Sequence, residues 1–175
     1  MKKIAIFLDR DGVLNQTVIK KKEIASPQNL DELKILPGVK ETLFTFKNYG
    51  YLLIMVTNQP DISRNRNTKK NVEEINIFLK NHLNLDDIFV CYHDDKDSCD
   101  CRKPKAGMLI KASKKHKIDL LKSYIIGDRW RDVEAGKNAE CKTIFIDLKY
   151  QEKLISKPDY IVNSISDCKN IIKKL

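Results

Sequence analysis

A short apolar run near the start of the chain ends abruptly in a pair of acidic residues. Residues 4–8 read Ile-Ala-Ile-Phe-Leu, and Asp9-Arg10-Asp11-Gly12 follows directly. A continuous apolar run of this length is typical of a strand that is buried on both faces of a parallel sheet. Ligand sites in such sheets lie at the carboxyl ends of the strands. Because side chains two positions apart in extended backbone point to the same side, we expect the carboxylates of Asp9 and Asp11 to converge there, above a sharp turn at Gly12.

Apolar runs and amphipathic segments alternate along the rest of the chain. Further strands are predicted over residues 51–56, 88–92, 123–126, 142–147 and 159–162. Helices are predicted over residues 37–48, 69–83, 106–116, 130–139 and 165–175. This alternation predicts an α/β fold with a Rossmann-like, doubly wound and mostly parallel sheet. The 175 residues are enough for a single domain with its own core, spanning 1–175.

Residues 15–36 do not fit this alternation. They include a charged run at 20–23 and turn-forming residues at 26–29, and only 33–36 reads as a short strand. A long insertion directly after a strand that carries a site is often a lid or a segment that contacts the substrate. We therefore predict a flap over about 15–36, with a lysine-rich surface loop as the alternative.

Charge and cysteine content narrow the class of protein. The net charge of +9 favours an anionic ligand such as a phosphate ester or a nucleic acid, or reflects a lysine-rich proteome. The lysines are scattered along the chain, which does not favour nucleic acid. No apolar run reaches membrane-spanning length and no signal peptide is evident, so we expect no membrane partner. Five cysteines without a secretory signal indicate a cytoplasmic protein with reduced thiols. We also expect the protein to be a monomer.

Three later strand ends also carry polar residues. Thr57 and Asn58 follow the second strand, Lys103 lies in the loop after the third, and Asp128 follows the fourth, with Asp132 four residues on. Each of these alone is more simply explained as a turn or a helix cap. Together with the two acids of the first strand they provide what phosphoryl transfer needs: a nucleophilic carboxylate, an acid, a phosphate-binding hydroxyl, a cation and a carboxylate for Mg²⁺.

A second motif combines three cysteines with one histidine. Cys91 and His93 are followed after five residues by Cys99 and Cys101. Three thiolates and one imidazole can complete a tetrahedral Zn²⁺ shell without an open position, which is typical of structural zinc. A redox or chance cysteine cluster is the alternative. We predict a zinc loop over residues 91–104, which would fix the position of Lys103.

These motifs resemble those of the haloacid dehalogenase-like phosphatases, and the resemblance covers nearly the whole chain. It is carried by the acid pair at the first strand, by Thr57, by Lys103 and by the Asp128 motif. It implies a Rossmann-like sheet and an aspartyl-phosphate mechanism. Asp9 would then be the nucleophile and Asp11 the general acid and base, while Thr57 and Lys103 would stabilise charge on the transferring oxygens. Mg²⁺ would be bound by Asp9, by the backbone carbonyl of Asp11 and by Asp128.

The string Cys-Asp-Cys-Arg-Lys-Pro at 99–104 narrows the resemblance. It is similar to that of the heptose-1,7-bisphosphate 7-phosphatases and of the histidinol-phosphate phosphatases, which are compact and have no large cap domain. The resemblance implies that Arg102 and Arg129 contact the substrate, and Asn58 and Gln59 fit the same role. The chain departs from the heptose pattern at 17–20 and at 60–65, which affects the predicted sugar specificity and leaves the phosphatase chemistry intact.

Four functional hypotheses follow. The first is a Mg²⁺-dependent phosphatase of a small phosphorylated metabolite, with heptose 1,7-bisphosphate as the preferred substrate. The second is a histidinol-phosphate phosphatase. The third is a polynucleotide 3′-phosphatase, which the positive charge permits but which lacks a basic and aromatic groove pattern. The fourth is a zinc-bearing interaction module without activity. The presence of Asp9, Asp11, Lys103 and Asp128 argues against it, because such a module would not need all four residues.

Overall fold

The central sheet of this computed structural model contains six parallel strands, and the structure describes residues 2–20, 23–150 and 152–174. In chain order the strands are β1 (Ala5–Leu8), β2 (Val18–Lys20), β3 (Glu23–Ala25), β4 (Leu52–Asn58), β5 (Asp87–Cys91), β6 (Tyr124–Gly127), β7 (Lys142–Ile146) and β8 (Tyr160–Val162). The sheet order is β5-β4-β1-β6-β7-β8, and every pairing is parallel. The chain order of the strands reverses on either side of β1, where ligands bind in doubly wound sheets.

Four helices cover the two faces of the sheet. They are α1 (Val39–Asn48), α2 (Lys69–His82), α3 (Gly107–His116) and α4 (Trp130–Asn138). Buried residues of α1 and α2 belong to the core on one face, and those of α3 and α4 pack on the other. The predicted α/β fold is confirmed, and the described residues include no large cap. None of the described helices combines the length and the apolar character needed to cross a membrane.

Strand β1 shows why its sequence is a continuous apolar run. Ile6 and Leu8 belong to one apolar layer, whereas Ala5 and Phe7 belong to the other, and all four are fully buried. Full burial of such a side chain contributes roughly 1.5–3 kcal/mol relative to exposure. Both faces of the strand are therefore fixed by packing, which leaves its carboxyl end as the point where polar residues reach solvent.

The segment predicted as a flap forms an antiparallel hairpin. Strands β2 and β3 pair through Val18 with Ala25 and Ile19 with Ile24. Residues 21–22 lie outside the described residues. The strand predicted at 33–36 is absent, and Ile35 makes only an isolated bridge to Asn15. Leu33, Ile35 and Leu36 instead pack, partly buried, against the apolar core.

The prediction of an α-helix over residues 165–175 was wrong in both the type and the length of the helix. The structure has a 3₁₀ helix over Ile165–Asn170 instead. Ile165 and Cys168 are both buried, and residues three apart share a face in a 3₁₀ helix. The Asp167 carboxylate accepts hydrogen bonds from the backbone N–H and the hydroxyl of Ser164 and so caps this turn. Leu175 lies outside the described residues.

The end of α3 is tied to the start of β5 through Asp87, which gives a prediction about acid stability. Its carboxylate accepts a hydrogen bond of 2.6 Å from His116 Nε2 and lies 2.8 Å from Lys115 Nζ. Burial alone would raise the pKa of Asp87, but the contacts with Lys115 and His116 prevail and lower it from 3.8 to about 2. A carboxyl pKa that is lower in the folded state stabilises the protein above the unfolded pKa, and this stabilisation disappears as the pH falls through the folded pKa.

We therefore expect Asp87→Asn to lower the free energy of unfolding at pH 6, and the difference from wild type to shrink as the pH falls from 3.8 towards about 2. Urea denaturation at a series of pH values measures this difference. The matched control is Asp31→Asn, which changes an exposed acid. A difference that stays constant down to pH 2 would contradict the prediction.

Candidate active site

A cavity of about 710 Å³ opens at the carboxyl edge of the sheet. Asp9 and Asp11 reach it from the end of β1, Asn58 from the end of β4 and Asp128 from the end of β6, and Lys103 joins them from the loop after β5. The parallel sheet brings these strand ends together, as the sequence predicted.

Lys103 is the cation at the floor of the cavity. Its Nζ lies 2.9 Å from Asp9 Oδ1 and 2.5 Å from Asp132 Oδ1, and it donates a hydrogen bond of 2.9 Å to the Val56 carbonyl. Burial acts to lower the pKa of Lys103, but Asp132 and Asp9 raise it well above the usual lysine value. Lys103 is therefore a permanently charged group held between two carboxylates.

Asp9, Asp128 and Asp132 form a buried carboxylate group whose oxygens lie within 4.8 Å of one another. Burial, followed by the charge of Asp132, raises the pKa of Asp9 to about 7. Burial and Asp9 also raise the pKa of Asp128 well above its usual value. Crowded carboxylates of this kind require a cation or a proton.

A metal ion fits this carboxylate group. Asp132 is already engaged, because one oxygen pairs with Lys103 and the other accepts the Arg129 backbone N–H. Asp128 Oδ1, in contrast, is buried and has no hydrogen-bond partner among the residues that the structure describes. Asp9 and Asp128 thus offer the hard oxygen donors that Mg²⁺ prefers.

Gly12 makes room for Asp128. Its φ is +84°, in the left-handed region, and a Cβ added there would lie 2.1 Å from Asp128 Oδ2. Any larger residue would be strained at this φ and would also displace the carboxylate. The turn predicted at Gly12 therefore has a second role that the sequence did not reveal.

Asp11 lies beside Asp9 and is surrounded by hydrogen-bond donors. Its carboxylate accepts from Asn15, Ser26 and Gln59 at 2.8–2.9 Å. The Arg10 guanidinium adds two contacts of 3.1 and 3.2 Å. Burial acts to raise the pKa of Asp11, but Arg10, Asn15 and Ser26 outweigh it and lower the pKa below the usual value. Sequence reasoning did not assign roles to Arg10, Asn15 or Ser26, although Arg10 stands between the two acids.

The residues after β4 bind other site residues. The Asn58 amide donates to the Lys103 carbonyl at 2.9 Å and accepts from the Lys103 N–H at 3.1 Å. Gln59 is buried, and its amide donates to Asp11 and to the buried Thr57 hydroxyl. Asn58 and Gln59 thus position Lys103 and Asp11, and their predicted contact with substrate stays a prediction.

The four zinc-type ligands predicted from the sequence lie together at the end of β5. The three sulfur atoms of Cys91, Cys99 and Cys101 are 3.2–3.6 Å apart, and His93 Nδ1 lies 3.7 Å and 3.3 Å from two of them. A tetrahedral zinc site with ordinary bond lengths has S···S and S···N separations of about 3.5–3.8 Å. The donor chemistry and the spacing therefore fit a closed four-ligand metal site.

Away from the acids at its floor, the cavity wall carries more cations than acids, the acids there being Glu23, Asp61 and Glu152. Among the described residues, six cations besides Lys103 line it: Lys20, Arg64, Arg66, Arg102, Arg129 and Arg131. Arg129 donates to Glu152 at 2.6 Å and lies over the Tyr150 ring. Arg102 and Arg131 both donate to Asp95. Arg102 and Arg129 were predicted from the sequence, whereas Arg64, Arg66 and Arg131 were missed because they belong to no motif.

Comparison with known proteins identifies the family. A family model described as HAD-hydrolase-like matches residues 100–168. A Helicobacter pylori protein named D-glycero-beta-D-manno-heptose-1,7-bisphosphate 7-phosphatase is 38% identical over 144 residues, which are 79% of this chain and 80% of the relative. The chain belongs to the HAD-like phosphatase family. The phosphatase activity predicted from its sequence is thereby confirmed.

Two further proteins are similar to this phosphatase, one in sequence and one in structure. A Campylobacter jejuni protein named D-glycero-alpha-D-manno-heptose-1,7-bisphosphate 7-phosphatase is 36% identical over 151 residues, 83% of each chain. The crystal structure of a D,D-heptose 1,7-bisphosphate phosphatase from B. bronchiseptica, complexed with magnesium and phosphate, superposes with a TM-score of 0.78 at 26% identity. That match covers 95% of this chain and 94% of the other.

The burial of Lys103 leads to a prediction about stability. Removing one partner of a buried ion pair typically costs about 3–5 kcal/mol, because the remaining charge is left uncompensated. We expect Lys103→Met to lower the free energy of unfolding by roughly that amount and to abolish phosphatase activity. Urea denaturation without divalent cations measures the first effect.

The control for this change is Lys105→Met. The Lys105 side chain is exposed and lies 3.4 Å from the exposed Asp100 carboxylate. Its replacement should change stability by no more than about 0.5 kcal/mol. Equal stability of the two variants would mean that Lys103 is not essential to the buried charge cluster.

Proposed function

We propose that this phosphatase removes the 7-phosphate of D-glycero-D-manno-heptose 1,7-bisphosphate. The observation that carries the proposal is the basic cavity wall, because Lys103 and a metal ion suffice for the reacting phosphate. The additional arginines, Arg64, Arg66, Arg102, Arg129 and Arg131, offer charge for a second anionic group on the same substrate. The names of the relatives support a heptose bisphosphate, and they include both anomers.

Asp9 is the proposed nucleophile. Lys103 lies 2.9 Å from its carboxylate, which favours the ionised form that attacks phosphorus. The attack forms a bond between a carboxylate oxygen of Asp9 and phosphorus as the bond to the sugar oxygen breaks. The resulting aspartyl phosphate is then hydrolysed by water, which returns Asp9 to its free form. Lys103 and Thr57 stabilise the charge on the transferring oxygens.

Asp11 is the proposed general acid and base. A phosphate dianion beside it raises its pKa and so favours the protonated form that donates to the leaving sugar oxygen. The ionised Asp11 then takes a proton from the attacking water. Its contacts with Arg10, Asn15 and Gln59 orient the carboxylate for both steps. General acid and base catalysis of this kind is typically worth about 10²–10⁴ in rate.

The metal of the reaction is proposed to be Mg²⁺, bound by Asp9, Asp128 and the backbone carbonyl of Asp11. When bound, it supplies positive charge that neutralises the transferring phosphoryl group. The unpartnered oxygen of Asp128 supports this assignment, as does the magnesium described for the B. bronchiseptica relative. The monomeric state and the cytoplasmic location stay predictions.

The closed metal site is proposed to bind structural Zn²⁺ through Cys91, His93, Cys99 and Cys101. Arg102 and Lys103 directly follow the last ligand. A zinc ion there would fix the backbone from which both side chains project. Asn58 binds the backbone of Lys103 through two hydrogen bonds, so Lys103 would be positioned both by the zinc site and by Asn58.

A test of the nucleophile is Asp9→Asn, which should abolish phosphate release, because an amide cannot form the acyl phosphate. Wild type with Mg²⁺ should hydrolyse the heptose bisphosphate with a kcat/KM at least about tenfold above that for histidinol phosphate, since a site built for a second polar group discriminates against its absence. Phosphate release from a panel of sugar, amino-alcohol, nucleotide and 3′-phosphorylated DNA esters measures both.

The panel also separates the alternatives. Preference for histidinol phosphate or for 3′-phosphorylated DNA would replace the proposed substrate, and inertness on every ester would favour the zinc module. Asp31→Asn, which alters an exposed acid that does not line the cavity, is the matched control and should retain full activity.

The zinc proposal predicts about one zinc ion per chain after purification without chelator. Cys101→Ser should lose this zinc and lower kcat on the order of tenfold to a hundredfold, since displacing a catalytic group by about 1 Å has effects of that size. Magnesium binding should persist. Cys141→Ser removes a buried thiol elsewhere and should retain zinc. Full activity in zinc-free protein would contradict the coupling.

A further inference from the structure

The segment between the two halves of the zinc motif is acidic, and its acids contact the segment 63–64, Arg102 and Arg131. Asp94 accepts two hydrogen bonds from Arg64, at 2.6 and 2.9 Å. Asp97 accepts one from the Ser63 hydroxyl at 2.8 Å. Asp95 lies between them and contacts two arginines. These acids do not belong to the group of four Cys/His side chains that could hold a metal ion.

Asp95 joins two arginines that come from separate elements. Its carboxylate accepts from Arg102 Nε at 2.9 Å and from Arg131 Nη1 and Nη2 at 2.9 and 3.2 Å. Arg102 follows the last zinc ligand, whereas Arg131 lies in the first turn of α4. Both arginines line the cavity. Without a carboxylate between them, two like charges this close would repel each other.

Other contacts fix the orientation of both guanidinium groups. Arg102 Nη1 donates to the His93 carbonyl at 3.2 Å, and Arg131 Nη1 lies 3.4 Å from the Lys103 carbonyl. The Arg131 guanidinium also stacks on the Trp130 ring, 4.8 Å from its centre. A planar guanidinium has five N–H donors, so each arginine keeps donors for an anion in the cavity beside those that Asp95 accepts.

We propose that Asp95 is a positioning residue: it keeps Arg102 and Arg131 side by side as the surface that binds the second anionic group of the substrate, away from the reacting phosphorus. Its side chain is 54% exposed, and exposed ion pairs contribute little to folding. Its effect therefore lies in substrate affinity. This inference rests on the proposed function, because it needs a substrate with two anionic groups.

The test compares two substrates in the zinc-loaded enzyme with Mg²⁺. One is the heptose bisphosphate and the other is p-nitrophenyl phosphate, which lacks a second anionic group. Asp95→Asn should raise KM for the bisphosphate about tenfold, since charge-assisted bidentate contacts are the strong ones. It should leave kcat for both substrates, KM for p-nitrophenyl phosphate and the zinc content unchanged. Asp95→Glu, which keeps the charge, should restore part of the lost affinity.

Two controls distinguish positioning from loop structure. Asp100→Asn makes the same charge change in the same loop, where the carboxylate is 98% exposed, and should behave as wild type. In an Arg131→Gln background, Asp95→Asn should raise KM less than it does alone, because residues that act through one another are not additive.

The outcomes separate the two proposals. If wild type prefers the bisphosphate and Asp95→Asn keeps both that preference and the wild-type KM, the inference about Asp95 is wrong and the proposed function stands. Loss of zinc with a fall in kcat on both substrates would show a role in loop structure and would also overturn the inference. If wild type shows no preference for the bisphosphate, the proposed substrate is wrong and the inference about Asp95 falls with it.

Discussion

The buried ion pairs of Lys103 are the interaction on which the rest of the site depends. A lysine that is only 2% exposed pays a large desolvation cost, which is offset here by carboxylates at 2.9 and 2.5 Å and by a carbonyl acceptor. Asp9 comes from the end of β1 and Asp132 from α4, so three separate segments must arrive in register. The same cation lies 2.9 Å from the carboxylate of Asp9, the proposed nucleophile.

Around this buried centre, short loops build the cavity wall and fix one another through polar contacts. The Cys/His motif groups four metal-ligand side chains, and the acids inside it bind arginines from two other segments. Asn58 binds the Lys103 backbone, and Ser26 beside the hairpin reaches Asp11. Loops with so few apolar residues are held in place by metal-ligand side chains, hydrogen bonds and ion pairs. This is the reason that charged side chains line so much of the cavity wall.

Much of the fold could be predicted from local sequence. The strands that are buried on both faces have continuous apolar runs, and the helices show the spacing of one buried face, so both were found within one or two residues. The pair of strands Val18–Lys20 and Glu23–Ala25 was missed because each is three residues long and has no fully buried position. The end of the chain was predicted as an α-helix, but its buried residues repeat every three positions and form a 3₁₀ helix.

The sequence by itself determined the alternation of strands and helices along the chain, the acid pair at the first strand end, and the spacing of the Cys/His ligands, because each depends on residues close together in the chain. Only the tertiary structure decided which distant side chains contact one another. Asn58 binds the Lys103 backbone, and Gln59 binds the Asp11 carboxylate. Gly12 leaves space for Asp128, and Asp95 binds both Arg102 and Arg131. The physical reason is that periodicity records which face of an element is buried. It carries no information on which distant side chains meet when the loops fold.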